Sequence, residues 1–225
     1  MSARTLPLFP LPVVLFPGAV MPLHVFEPRY RRMLADCLAG DRQFGIVYAA
    51  ETADEELLPQ GQVGCVATIA SAQTLPDGRS NIAVNGGDRF VFLSYVAAPE
   101  PYRIAAIESY EDRAEPLDAL APLADQVRTA FQRAVEAART LADDRSPSPE
   151  LPDDPSQLAF RMASLIDVDI ETRQRVLASR SPHERLIELA RVLAAAVAPL
   201  ERRAETHRSA KQNGRAGTHG SESPA

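Results

Sequence analysis

Leu6–Tyr30 reads LPLFPLPVVLFPGAVMPLHVFEPRY, and the way this stretch is disposed decides the fold. From Leu6 to Phe26 every residue except His24 is apolar, Gly or Pro, and a run of 21 residues is long enough to span a membrane. Pro7, Pro10, Pro12, Pro17 and Pro22 argue against that, because each lacks a backbone N–H and costs roughly 3 kcal/mol inside a helix. They argue equally against the apolar core of a signal peptide, although Arg4 stands where such a peptide carries its charge. Extended chain accommodates prolines at strand starts, edges and bends. The stretch therefore predicts one strand over Leu6–Leu11 and another over Ala19–Phe26, with a Pro17-Gly18 turn before the second.

Working outward, Pro28 at a first helical position predicts a short helix with Tyr30, Met33, Leu34, Cys37 and Leu38 on one face and Gly40 as its C-cap. Strands follow at Phe44–Ala49 and around Val63–Ala70, separated by an acidic loop over Glu51–Gly61. Leu75-Pro76-Asp77-Gly78-Arg79 has hairpin chemistry. Further strands are expected at Ser80–Val84, Arg89–Val96 and Arg103–Glu108, with turns at Asn85-Gly86-Gly87 and Pro99-Glu100-Pro101. So many short strands favour a small closed or half-closed barrel over about residues 1–113.

After Tyr110 the periodicity changes from two to three and four. Leu120, Leu123, Val127, Phe131, Ala134, Ala138 and Leu141 mark one face of a long helix opening at Pro116. Asp143–Pro155, with four prolines, reads as a loop. A helix is then expected to open at Asp154-Pro155 and turn Leu158, Met162, Leu165 and Ile166 inward, followed by a shorter one over Ile170–Ser179. The capping box Ser181-Pro182-His183-Glu184 starts a last helix that Pro199 ends or kinks. These helices form an expected domain over 114–205. Thr206–Ala225, with no apolar residue larger than Ala, is expected to be disordered.

The net charge of −6 is spread evenly along the chain, and no basic patch suggests nucleic acid. Cys37 and Cys65 lie far apart without metal spacing, which suits two reduced thiols in a cytoplasmic protein. The single lysine, Lys211, falls in the tail, so no Ser-Lys dyad is at hand, and no GxxxxGK[ST] phosphate loop is present. His24 in an apolar strand reads as a packed, hydrogen-bonded imidazole, and His183 as a surface residue of a helix start. Adjacent acids at Glu55-Glu56, Asp143-Asp144 and Asp153-Asp154 read as solvated loops. Gly86-Gly87 lacks the strand-then-helix setting of a phosphate loop and reads as a tight turn.

The opening string from Pro7 to Met33, GDRQFGIV at Gly40–Val47, LPDGR at Leu75–Arg79, GGDRF at Gly86–Phe90 and PYRIAAIE at Pro101–Glu108 occur in an order that resembles the Lon N-terminal domain. That domain is the substrate-binding part of Lon proteases, and the resemblance covers about residues 5–200. It implies an α+β chain: a PUA-like β-barrel of about six strands with one short helix, then a C-terminal α-helical bundle. It also implies a stand-alone binding module without ATPase or peptidase domains, not an enzyme, needing no cofactor and no metal. The implied partner is unfolded or partly folded polypeptide, in company with a protease or chaperone system, and neither nucleic acid nor membrane. An adaptor dedicated to one folded partner, or an RNA reader of the kind PUA-like barrels include, are the alternatives.

Five bulky prolines in so apolar a stretch leave side chains that the core cannot take. Part of the set Phe9, Phe16, Phe26 or Tyr30 is thus expected to remain at the surface as an apolar patch, rimmed by Glu27, Arg29 and Arg79. The candidate peptide-binding residues are Phe26, Glu27, Arg29, Tyr30, Arg79 and Arg89. A structural alternative has Glu27 or Asp41 pairing with an arginine to tie the helix to the barrel.

Overall fold

The computed structural model describes residues 4–50 and 58–216, with side chains through residue 211. Six strands, β1 (Arg4–Leu11), β2 (Val20–Val25), β3 (Gln43–Tyr48), β4 (Val63–Thr74), β5 (Ser80–Val96) and β6 (Ile104–Ser109), form one mixed sheet. Their order is β2-β5-β4-β3-β1-β6, and a further β5–β6 pairing closes the sheet on itself. Five helices complete an α+β fold: α1 (Pro28–Ala39), α2 (Leu117–Ala142), α3 (Pro155–Leu165), α4 (Ile170–Ala178) and α5 (Pro182–Ala216). Contacts divide the chain into two compact units, Met1–Glu115 with Pro152–Arg185, and Pro116–Leu151 with Leu186–Ala225. Where the sequence puts one division near 113, α3 and α4 instead fall in the same unit as the strands.

The prolines of β1 are explained by a change of partner midway along the strand. Arg4–Pro7 pairs antiparallel with β6, and Leu8–Leu11 pairs parallel with β3. Ala49 N donates to the Leu11 carbonyl and Leu8 N to the Arg103 carbonyl, at 2.9 and 2.8 Å. Backbone groups alternate sides along a strand, so the missing N–H of Pro10 faces away from β3, on the side where β6 has already ended. Leu6, Leu8, Val47, Val66, Phe90, Phe92, Ala105 and Ile107 fill the barrel. Below α1, Phe9, Tyr30 and Phe44 stack at centroid distances of 4.1 and 5.9 Å.

β5 is the main departure from expectation. It runs unbroken for 17 residues through Asn85-Gly86-Gly87, where a turn was expected. Gly86 is there for close approach: Gly18 N donates to its carbonyl and its N–H donates to the Ala19 carbonyl, at 2.9 and 2.8 Å. A Cβ on Gly86 would overlap the Phe16 carbonyl oxygen. Gly18, at φ 72°, makes this a bulge one residue before β2. The expected hairpin at Leu75–Arg79 does form, with Gly78 at φ 80° and Leu75 N bonded to the Arg79 carbonyl at 2.7 Å. The guanidinium of Arg31 lies over Gly78. Gly78→Val is therefore expected to cost about 1–2 kcal/mol, from φ strain plus displacement of Arg31. Thermal denaturation checks this, and an unchanged midpoint would show the turn tolerates a side chain.

Further differences have local causes. Gly40 is the C-cap as expected, its N–H donating to the Cys37 carbonyl, but the residue at positive φ is Arg42 at 64°, whose Nε donates to the Ile69 carbonyl at 3.0 Å and so pins the end of α1 to β4. Leu165, expected inside, is exposed, because α3 ends there and Ile166 is already extended. α5 passes through Pro199, which costs one hydrogen bond to the carbonyl of Ala195 on a face that is exposed to solvent. The helix runs on to Ala216, so the expected disorder does not hold for 206–216, whose Glu-, Arg- and Ala-rich approach suits a helix. The rest of that expectation, and residues 51–57 of the expected acidic loop with Glu55-Glu56, lie outside the described residues.

In the unit formed by α2 and α5, Leu120, Val127 and Phe131 are buried, as are Leu189, Leu193 and Val197. Arg133 reaches across to Glu201 through two bonds of 2.8 Å. Among the described residues no helix is long and apolar enough to cross a membrane.

Candidate functional site

Between the C-terminal ends of β1 and β2 lies a groove of about 410 Å³. Phe9–Pro12 forms one wall, His24 and Phe26 the other, with Glu27 and Tyr30 from the start of α1 and Ala49-Ala50 after β3 closing it. The local chemistry explains why it stays open. Pro10 presents no N–H to it, and Pro28 stops β2 from extending by starting α1.

Of the residues expected here, Phe26, Glu27 and Tyr30 do line the groove. Of the four aromatics from which a surface patch was expected, Phe26 is 58% exposed, while Phe9, Phe16 and Tyr30 are buried. Phe16 goes instead to a stack with Phe160 of α3 at 6.1 Å. Arg29 bonds Glu27 at 2.9 Å and lies 4.6 Å over the Tyr30 ring, so Glu27 and Arg29 neutralise each other at the rim. Arg79 pairs with Asp77 at 2.7 Å at the hairpin, and does not line the groove. Neither Glu27 nor Asp41 ties the helix to the barrel: Asp41 accepts from Gln43 N at 3.0 Å, and both interactions are local.

His24 was missed. It is exposed rather than packed, bonds Asn81 Oδ1 at 2.7 Å and stacks on Phe26 at 6.0 Å. The signal that could have found it is parity: Val20, Pro22, His24 and Phe26 share one face of β2 while Val25 is buried on the other.

Arg89 does not line the groove: its side chain is only 4% exposed and is spent on an internal network. It donates to the carbonyls of Leu177 and Ser179 at 2.6 and 2.7 Å and to Asp112. Arg185, fully buried, grips both oxygens of the same carboxylate at 2.6 Å and the Ser156 carbonyl at 2.8 Å. The ring of Phe160 lies under both guanidinium groups, at 5.1 and 4.1 Å. Burial pulls the Arg89 pKa down from its ordinary value, against the attraction of Asp112. Sequence spacing held no hint of this clamp, since Arg89 and Arg185 are 96 residues apart.

Elsewhere charged groups also pair with one another. A hollow of about 660 Å³ around Glu136, Arg139, Asp143, His207 and Lys211 is one such place, with Asp143 held below the usual carboxylate range by bonds from Lys211 and His207. Desolvation pushes Cys37 and Cys65 up to about 12, so neither thiol is a ready nucleophile at neutral pH. Among the described residues no three His, Cys, Asp or Glu side chains gather to hold a metal ion.

A small closed barrel with a helix-covered base and an open apolar groove belongs to the class of binding domains. The comparisons name the family. The ATP-dependent protease La (LON) substrate-binding domain matches residues 5–195, and the chain belongs to that family. Lon protease 2 of Herpetosiphon aurantiacus is 32% identical over 205 residues, covering 89% of this chain and 25% of that protein. Lon protease of Solibacter usitatus is 27% identical over 195 residues, covering 85% and 24%. The chain thus spans about a quarter of the length of these relatives. Among solved structures, the N-terminal domain of the Mycobacterium avium complex Lon protease superposes with a TM-score of 0.64 at 16% identity, covering 85% of this chain and 98% of that one. A Lon N-terminal domain protein from Xanthomonas campestris gives 0.57 at 23% identity, covering 83% and 96%. At these identities the two structures speak for the fold alone.

Proposed function

We propose that the chain captures exposed apolar segments of unfolded or partly folded polypeptide in the groove between β1 and β2, as a non-catalytic module serving a proteolytic or chaperone system. The observation that carries this is Phe26, a 58% exposed ring at the mouth of an apolar groove in a member of a substrate-binding family. Soluble proteins seldom leave such a ring beside an open apolar groove unless something covers it. Pro10, Leu11, Pro12 and Ala49 offer shape without charge, which suits promiscuous apolar side chains, and the self-neutralised Glu27–Arg29 pair imposes no strong charge preference. Affinity for one short segment is expected to be about micromolar or weaker, since a flexible ligand loses its ordering entropy on binding.

Titration of labelled unfolded casein and native serum albumin against the purified protein tests the proposal. Binding to the unfolded protein alone supports it. Indifference to both would overturn it in favour of an adaptor dedicated to one folded partner.

A further inference from the structure

We infer that the captured segment binds as an added strand along the outer edge of β2, running into the groove at His24–Phe26. The inference rests on the capture reading above and adds to it the backbone geometry of the ligand.

The edge is open by topology. β2 stands at the end of the strand order and pairs only with β5. Its hydrogen-bond parity follows from the bulge. Gly86 exchanges bonds with Gly18 and Ala19, and the register continues Val20↔Asn85, Met21↔Val84, Pro22↔Ala83. Alternation in an antiparallel ladder therefore turns the N–H and C=O of Met21, Leu23 and Val25 toward β5, and those of Val20, Pro22 and His24 outward. Among the described residues nothing pairs with these outward groups, and unpaired edge groups are a template for another strand.

The edge is also unequal in donors and acceptors. It offers three carbonyls, of Val20, Pro22 and His24, but only two N–H groups, because Pro22 stands at an outward position. This composition selects the occupant. A second copy of the same edge would bring proline against proline with acceptors in excess, whereas a foreign extended segment with its full set of N–H groups meets the carbonyls. The side chains agree: Val20 is 67% exposed and Phe26 58%, on the face that also carries Pro22 and His24. A segment with alternating apolar residues would pair across strands with them. Pro22 also keeps the added strand weakly held, which suits a ligand that must be released.

The test uses a labelled decapeptide alternating Val and Ser around a central Phe, and two N-methylated versions blocking the N–H groups of one strand edge or the other. Fluorescence anisotropy against the whole chain should show one methylated version binding about tenfold more weakly and the other unchanged, since two or three net hydrogen bonds are lost in one register only. Pro22→Val, restoring a donor at an exposed position, should tighten the parent peptide severalfold with an unchanged circular dichroism spectrum. If both methylated peptides bind like the parent, or if unfolded casein binds while the parent peptide does not, strand addition is wrong and the capture reading stands. Binding of neither casein nor peptide would overturn both. Sedimentation showing a dimer that excludes the peptide would assign the edge to a second copy instead.

Discussion

Asp112→Ala is expected to lower the unfolding free energy by about 3–5 kcal/mol, because it strands two buried guanidinium groups without a counter-charge. For a chain of this size the melting temperature should fall by on the order of 10 °C. Asp112 bonds both Arg89 and Arg185, whose side chains are 4% and 0% exposed, and the remaining acceptors are neutral carbonyls of Ser156, Leu177 and Ser179. Those carbonyls lie at the start of α3 and the end of α4, so the clamp fastens both helices to the end of the barrel. Limited proteolysis should accordingly find new cuts in 152–185. The exposed pair Arg133–Glu201 is the control, and Arg133→Ala should move the midpoint little. A small effect at Asp112 would mean that the arginines find other partners and that α3 and α4 are held by apolar contacts alone.

Gly86→Ala is expected to cost about 2–3 kcal/mol or more, as overpacking against a carbonyl that belongs to a bonded bulge. The new Cβ would meet the Phe16 carbonyl oxygen, and Phe16 is itself buried against Phe160, so the loop has nowhere to retreat. Gly18→Ala isolates the other contribution, since Gly18 has positive φ but open space around it, and about 1 kcal/mol is expected there. Urea denaturation of both variants measures the order of effects. If Gly86→Ala is the milder one, the bulge does not hold β2 to β5 as described.

How much of this was legible in the sequence depended on whether the deciding contact was local. β1 and β2 could be read because proline forbids the helix that apolarity alone would allow, and the Gly78 hairpin because its turn chemistry is contained in five residues. Asn85-Gly86-Gly87 has the same composition as a turn, yet Gly86 serves the approach of Phe16, a residue 70 positions earlier. No local pattern distinguishes those two uses of glycine. The candidate site split in the same manner. Phe26, Glu27 and Tyr30 were brought together by adjacency at a strand-to-helix junction. Which of Phe9, Phe16, Phe26 and Tyr30 stays at the surface could not be read, because nothing in the sequence shows that Phe9 packs against Tyr30 and Phe44. Arg89 read as a surface cation because its partners, Asp112 and the carbonyls of Leu177 and Ser179, are brought to it only by the folded chain. The family resemblance, by contrast, rested on order along the chain and needed no tertiary contact.

The groove at Phe26 is proposed to receive the apolar segment of a polypeptide. Tyr30→Ala is a poor probe, since Tyr30 is buried against Phe9 and its loss would disturb the fold. Phe26→Asp is the better one, because the ring is largely exposed and its replacement leaves the core intact. The decisive measurement is the affinity of Phe26→Asp for labelled unfolded casein beside that of the parent, with melting temperatures recorded on the same samples. A loss of about tenfold or more in affinity is expected with the melting temperature unchanged; equal affinity at equal stability would show that Phe26 does not hold the segment.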